Sequence, residues 1–207
     1  MNQWPQPHRL NVDEYYKMAE VGLLAPDACV ELIHGIIMDL PIPSPREASI
    51  IDQLSKLLIL GLHDHAIVRT RGVVRLDRWS EPQPDVAVLK SLPDRYWHAH
   101  PSGEDTVLVI EVGDSSLDFD LGTKSKLYAR HHVPELWVVD AEDGVLHRFS
   151  DRAEFGYRQV TSTATPGMTA VPSLGVAIDL SWLATSGSRS CRENPPTPSA
   201  DTPYPHS

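Results

Sequence analysis

The sequence predicts an α/β fold, a mixed central sheet flanked by helices with an additional N-terminal hairpin. Three observations predict it. Residues Val107 to Asp140 read as a buried strand, a turn, an amphipathic helix and a second buried strand. Ile50, Ile51, Leu54, Leu57, Leu58 and Leu62 recur at helical spacing, which marks a long buried helix. CVELIHGIIMDLP reads as a hairpin turning at His34-Gly35, and VLHRFSD, EFGYRQV and GVAIDLSWL add short strands with glycine and aspartate at their ends.

At 207 residues and 41% hydrophobic, the chain can bury a substantial core. One domain over residues 1–183 is expected, followed from 184 by a proline- and serine-rich tail too poor in apolar side chains to order itself. No apolar run is long enough for a bilayer, and MNQWPQPHRL does not resemble a leader, so a cytoplasmic protein without a membrane partner is expected. Cys29, in a segment read as core, and Cys191, in the tail, make an improbable disulfide. The net charge of −10 argues against coating nucleic acid through a broad basic face. A local basic cleft remains compatible with it.

Taken in order, Asn11 caps a first helix running to about Val21, with Val12, Tyr15, Tyr16 and Ala19 on one face and a stop at Gly22. In the hairpin that follows, Glu31 lies among Val30, Leu32 and Ile33, so it is either an edge-strand glutamate facing water or a carboxylate turned toward a site. IPSPR leads into the buried helix. His63-Asp64-His65 at its end lack a further partner at ligand-like spacing and read as solvated. AIVRTRGVVRL alternates, which places Arg69, Arg71 and Arg75 on one face, either an ordinary wet sheet surface or a track for a phosphate backbone. Pro82-Gln83-Pro84 fixes the entry into DVAVLK, a strand beginning at Asp85. Residues Ser91 to Asp105 read as a loop that exposes His98 and His100.

The 107–140 unit carries the chemistry. Val107, Val109 and Glu111 share one strand face and Leu108, Ile110 and Val112 the other, so Glu111 interrupts an otherwise apolar strand. A carboxylate buried there is normally paired, protonated or bound to a cation. Ser115, with Asp118 three residues on, has the pattern of a helix cap, and the helix starts near Leu117. Leu117, Leu121, Lys124 and Tyr128 then form one stripe, apolar except for its amine, with Asp120 one turn before Lys124 and Lys126 pointing elsewhere.

Asp85 and Glu111 can converge on a hard cation. Magnesium, or manganese in its place, needs only one or two carboxylates and a carbonyl such as that of Val112, because it keeps several waters. Lys124 reaching the same pocket can hold or deprotonate an attacking water and stabilise charge on a phosphorus-bound oxygen. A buried ion network in a non-catalytic scaffold would use the same residues.

Pro84-Asp85, a hydrophobic strand ending in Glu111 and a nearby lysine resemble the PD-(D/E)xK nuclease superfamily. VELIHG, IPSPR, QPDVAVL, VLVIEV, SSLDFDLGTKSKLYA and VPELWVVD are similar to the Uma-two family of restriction endonucleases over most of residues 10 to 183. In the superfamily the lysine commonly stands two residues after the glutamate, where this chain has Gly113. The resemblance implies a lysine migrated to the following helix, matching Lys124, and implies that Glu31 joins the acidic site. Asp120 matches a recurrent aspartate of unassigned role, and Glu47 stands where many members have histidine. The implied protein is a restriction-endonuclease-like, magnesium-dependent endonuclease that hydrolyses phosphodiester bonds in DNA. Asp85, Glu111, Lys124 and Glu31 would be catalytic, and a homodimer would supply two sites for two strands. The alternative is a catalytically silent nuclease fold kept as a binding or regulatory module.

Overall fold

The computed structural model describes residues 7–25 and 27–186. Helix α1 (Val12–Glu20) is fixed at its start by a reciprocal cap, in which the Glu14 N–H donates to Asn11 Oδ1 and the Asn11 N–H donates to Glu14 Oε2. Strands β1 (Val30–Ile33) and β2 (Ile36–Asp39) form the N-terminal hairpin. His34 (φ +52°) and Gly35 (φ +78°) both take left-handed backbone at its turn, the conformation that a two-residue hairpin loop requires. A Cβ on Gly35 would also lie 2.7 Å from Arg9 Cβ. The hairpin is stitched to the chain ahead of the central sheet: the Glu81 N–H donates to the Leu32 carbonyl at 2.7 Å, and the Tyr16 hydroxyl of α1 donates to Glu81 Oε1.

Helix α2 (Pro45–Leu62) buries Ile50, Ile51, Leu54, Leu58 and Leu62, while Leu57 is only half-buried beside them. It packs on a six-stranded sheet ordered β3-β4-β5-β6-β7-β8, comprising Ala66–Thr70, Val86–Lys90, Thr106–Gly113, Leu136–Asp140, Leu146–Ala153 and Gly156–Thr163. Every neighbouring pair is antiparallel except β5 and β6. Those two are joined by the helical crossover that a parallel pair demands. A second hairpin, β9 (Met168–Val171) and β10 (Val176–Asp179), with helix α5 (Trp182–Ser186), closes the α2 face through Val171, Ile178, Leu180 and Leu183. The opposite face of the sheet is covered by the crossover helix. Among the described residues, no helix is long and apolar enough to cross a membrane.

Several local expectations are corrected. The alternating strand read through Leu76 stops at Thr70, because Arg71 turns into left-handed backbone (φ +48°). Asp85 stands one residue ahead of β4. GVAIDLSWL divides into β10 and α5, and β9 went unread. Cys29 is exposed, not core. Val107 joins Leu108 on the α2 face because the β4–β5 register shifts between Val88 and Leu89, interrupting the alternation. The tail was expected from 184, but 184–186 belong to α5, and the residues from 187 on, including Cys191, lie outside the described residues.

Candidate active site

Strand β5 is buried along its whole length, which forces a decision on its one charged residue. Leu108, Ile110 and Val112 pack toward α2, whereas Val109 belongs to the cluster under the crossover helix, and Glu111, two residues on, faces the same way. The pairing of Val86 with Ile110 brings Asp85 to the end of β5, where the Val112 N–H donates to Asp85 Oδ2 at 2.9 Å. Two carboxylates carried by neighbouring strands therefore open on one cleft of about 370 Å³, with Arg71, Gln83, Val112, Ser116 and Lys124 also on its wall.

The crossover helix is irregular where it meets that cleft. Leu117–Phe119 (α3) is a single short turn, Asp120–Lys124 winds as a π-helix, and Ser125–Arg130 (α4) is regular. The wide turn is closed by the Ser125 N–H donating to the Asp120 carbonyl five residues back. The expected cap at Ser115 does not form. The helix begins after Ser116, whose hydroxyl donates to Asp120 Oδ2 at 2.8 Å instead of capping the backbone. The buried row along this helix is consequently Asp120, Lys124 and Tyr128, with Leu117 and Leu121 half-buried beside it.

Lys124 is the hub. Its side chain is 6% exposed, and Nζ lies 3.1 Å from Glu111 Oε1, 3.2 Å from Glu31 Oε1 and 3.7 Å from Asp120 Oδ1. Glu111 Oε1 also accepts from the Tyr128 hydroxyl at 2.6 Å, and Glu31 Oε2 accepts from the Gln83 N–H at 3.0 Å. Burial by itself would deprotonate the amine, but the charges of Glu111, Glu31 and Asp120 overcome it and hold Lys124 as an ammonium above its ordinary range. One ammonium does not balance four acids. Burial and the charge of Glu111 push Asp85 up to about 7, against the opposing Val112 N–H, Lys124 and Arg71. Burial pushes Glu111 to about 7 and Asp120 to about 6, Lys124 opposing both.

All four expected catalytic residues, Glu31, Asp85, Glu111 and Lys124, thus line one cleft, together with Val112 and Asp120. Glu31 is 2% exposed and is not an edge glutamate facing water. Glu47 reaches the rim while its carboxylate accepts from the Ser44 N–H at 2.7 Å, closing the α2 cap. The basic triple is dispersed, because the strand that would have aligned it ends at Thr70. Arg71 alone lines the cleft, with Nε 3.9 Å from Asp85 Oδ1. Arg69 donates to the Val73 carbonyl and stacks on Tyr96, and Arg75 pairs with Glu81 over the Tyr16 ring. His63, His65, His98 and His100 are exposed. Tyr128 was missed: periodicity placed it correctly on the stripe, but read it as apolar, although its hydroxyl lies one turn beyond Lys124.

Gly113 explains where the lysine sits. A Cβ there would lie 2.2 Å from Ser116 Oγ and 3.2 Å from Asp120 Oδ2, so a side chain two after Glu111 would have to displace the Ser116 hydroxyl from its bond to Asp120. Gly113→Ala is expected to cost about 1–3 kcal/mol through overpacking. Urea unfolding measures it, and a variant as stable as the wild type would show that the π turn yields freely.

Among the described residues, no three His, Cys, Asp or Glu side chains form a metal cage of their own. The pair Asp85 and Glu111 nevertheless fits magnesium, which keeps waters and takes further oxygens from a substrate phosphate. The observation behind that fit is that Asp85 and Glu111 stand together on the cleft wall, and that burial, joined for Asp85 by the charge of Glu111 and for Glu111 by those of Asp120 and Glu31, raises both carboxyls.

The Uma2 family, described as "Putative restriction endonuclease", matches residues 12–184. No curated protein matches the chain. The fold is similar to the crystal structure of "a putative nuclease belonging to DUF820" from Anabaena variabilis ATCC 29413. The TM-score is 0.66 at 15% identity, covering 86% of this chain and 98% of that one. At that identity the likeness shows the fold alone.

Proposed function

Because the chain belongs to the Uma2 family of restriction-endonuclease-like proteins, we propose that it is a magnesium-dependent endonuclease hydrolysing phosphodiester bonds in DNA. The observation that carries the reading is a buried ammonium held by three acids on the wall of a cleft that also bears Asp85 and Arg71.

Asp85, Glu111 and the Val112 carbonyl would hold the cation, which when bound supplies Lewis-acid activation of the phosphoryl oxygen and a more acidic water. Lys124 works as a cation and not as a base, since its amine is already protonated. Its N–H groups orient the attacking water and offset the charge that grows on the phosphoryl oxygens. As the water oxygen bonds to phosphorus, the bond to the leaving sugar oxygen breaks and that oxygen takes a proton from solvent. The water's proton passes to a carboxylate, for which Glu31 stands closest to the ammonium apart from Glu111. Tyr128 and Lys124 both donate to Glu111 Oε1 and so fix the carboxylate's rotation.

The rival is a silent nuclease fold used as a binding module, in which the Lys124 network serves only to neutralise itself. Supercoiled plasmid separates the two. Magnesium should support nicking by the wild type, EDTA should stop it, and Asp85→Ala should slow it at least 100-fold. Equal rates for wild type and Asp85→Ala would leave the rival standing.

A further inference from the structure

With Arg69 and Arg75 occupied elsewhere, the cationic path for a substrate strand has to be sought on another surface. Next to the cleft, on the outer side of α2, lies a second concavity lined by Arg46, Ser49, Gln53 and Lys56, with Trp182 across from them and Asp52 as the one acid. These four hydrogen-bond donors stand at i, i+3, i+7 and i+10, one face of a helix. That face spans roughly 15 Å at 1.5 Å per residue, about four steps of a DNA strand at 3.4 Å each.

Arg46 joins this face to the cleft. Its neighbour Glu47 lines the cleft itself. Arg46 Nη2 donates at 2.5 Å to the carbonyl of Glu142, in the turn that leaves β6 just beyond Asp140, the partner of Gly113. The guanidinium is therefore anchored at the end of the sheet where Glu111 opens. Arg46 Nε is buried and, among the described residues, has no acceptor. Nε is closed off from solvent, so a phosphate would meet this guanidinium through its outer nitrogens, on the side that the Glu142 contact leaves open. Guanidinium, hydroxyl, amide and ammonium are the groups that contact phosphate and sugar without reading sequence, and an indole beside them can stack on an exposed base or sugar.

We propose that the Arg46–Ser49–Gln53–Lys56 face of α2 is a phosphate-backbone subsite, which holds the DNA strand on one side of the scissile bond. The inference rests on the nuclease reading for its role in turnover, but not for binding. It gives the acidic cleft what it lacks, a cationic ledge that anchors a polyanion beside carboxylates that would otherwise repel it.

The test is binding of a fluorescein-labelled 20-base-pair duplex to the full chain in EDTA, followed by plasmid cleavage in magnesium. Arg46→Ala and Lys56→Ala should each weaken binding about tenfold and each lower the salt-dependence slope by about 1. Lys17→Ala, which removes an equal charge from the exposed face of α1, should leave both unchanged. Lys56 is exposed, so its loss should not disturb folding, and thermal unfolding checks that Arg46→Ala is still folded. In cleavage, both variants should raise KM with kcat preserved. Wild-type-like affinity in Arg46→Ala and Lys56→Ala, equal weakening in Lys17→Ala, or no duplex binding by the wild type would each overturn the subsite. Strong binding with the expected variant losses but no cleavage in magnesium would instead overturn the catalytic reading and keep the subsite.

Discussion

Replacing Lys124 with methionine should both destabilise the protein and abolish cleavage. Methionine nearly matches the lysine stem in length and fills the same buried volume, so the substitution removes a charge more than it opens a cavity. What it leaves is Glu111, Glu31 and Asp120, each with a side chain no more than 4% exposed, around a missing cation. Removing one partner of a buried ion pair costs about 3–5 kcal/mol, because the other charge stays buried. For a domain of this size, that is a fall of roughly 10 °C in Tm. Lys126→Met, two residues along on the exposed side of α4, is the matched control and should change stability by less than about 0.5 kcal/mol. Cleavage by Lys124→Met should drop by at least about 100-fold even at temperatures where it is folded, since the developing charge loses its nearest donor. Should Lys124→Met unfold at the same urea concentration as wild type, the network would not hold the charges described; should it cleave plasmid normally, the ammonium would have no part in the chemistry.

Why Lys124 and Glu111 could be singled out in the sequence is a matter of contrast. Each interrupts a run of apolar residues at a position where periodicity demands burial, and a lone charge against that background stands out. Glu31 gave no such signal. All four residues of β1 are buried, because the hairpin lies under α1 and the 79–83 segment on one side and against the cleft on the other, so alternation says nothing about which way the glutamate points. Only the resemblance to a known family placed it in the site. The arginine triple failed for the opposite reason. Alternation in AIVRTRGVVRL is genuine in the letters, but it implies a shared face only while the backbone stays extended, and at Arg71 it does not. The π turn was illegible because the spacing of Asp120, Lys124 and Tyr128 fits an ordinary helix equally well. Its cause is a contact, Ser116 with Asp120 over the bare backbone of Gly113, which no local pattern records.

The acidic cleft should also make magnesium a pH-dependent stabiliser. In the metal-free protein Asp85 and Glu111 stand at about 7, raised first by burial and, for Asp85, next by the charge of Glu111. The unfolded chain releases these protons near the ordinary carboxylate values of about 4. Between those limits the folded state binds more protons than the unfolded one, so stability contributed by the two carboxyls is greatest below about pH 4 and falls as pH rises toward 7. A divalent cation opposes that loss, because it binds the ionised pair and competes with the protons. At pH 8 both carboxylates are free to bind, and magnesium at 100 times its dissociation constant should stabilise by about 2.7 kcal/mol. At pH 5 the same concentration must displace protons first, so the shift in Tm should largely vanish. Glu111→Gln should flatten both responses: it removes one of the two charges that a cation needs and also the repulsion that raises Asp85. Differential scanning fluorimetry at the two pH values, with calcium-free magnesium and an ionic-strength control in sodium chloride, reads the effect directly. A magnesium shift of equal size at pH 5 and pH 8, or one that Glu111→Gln retains in full, would place the cation somewhere other than between Asp85 and Glu111.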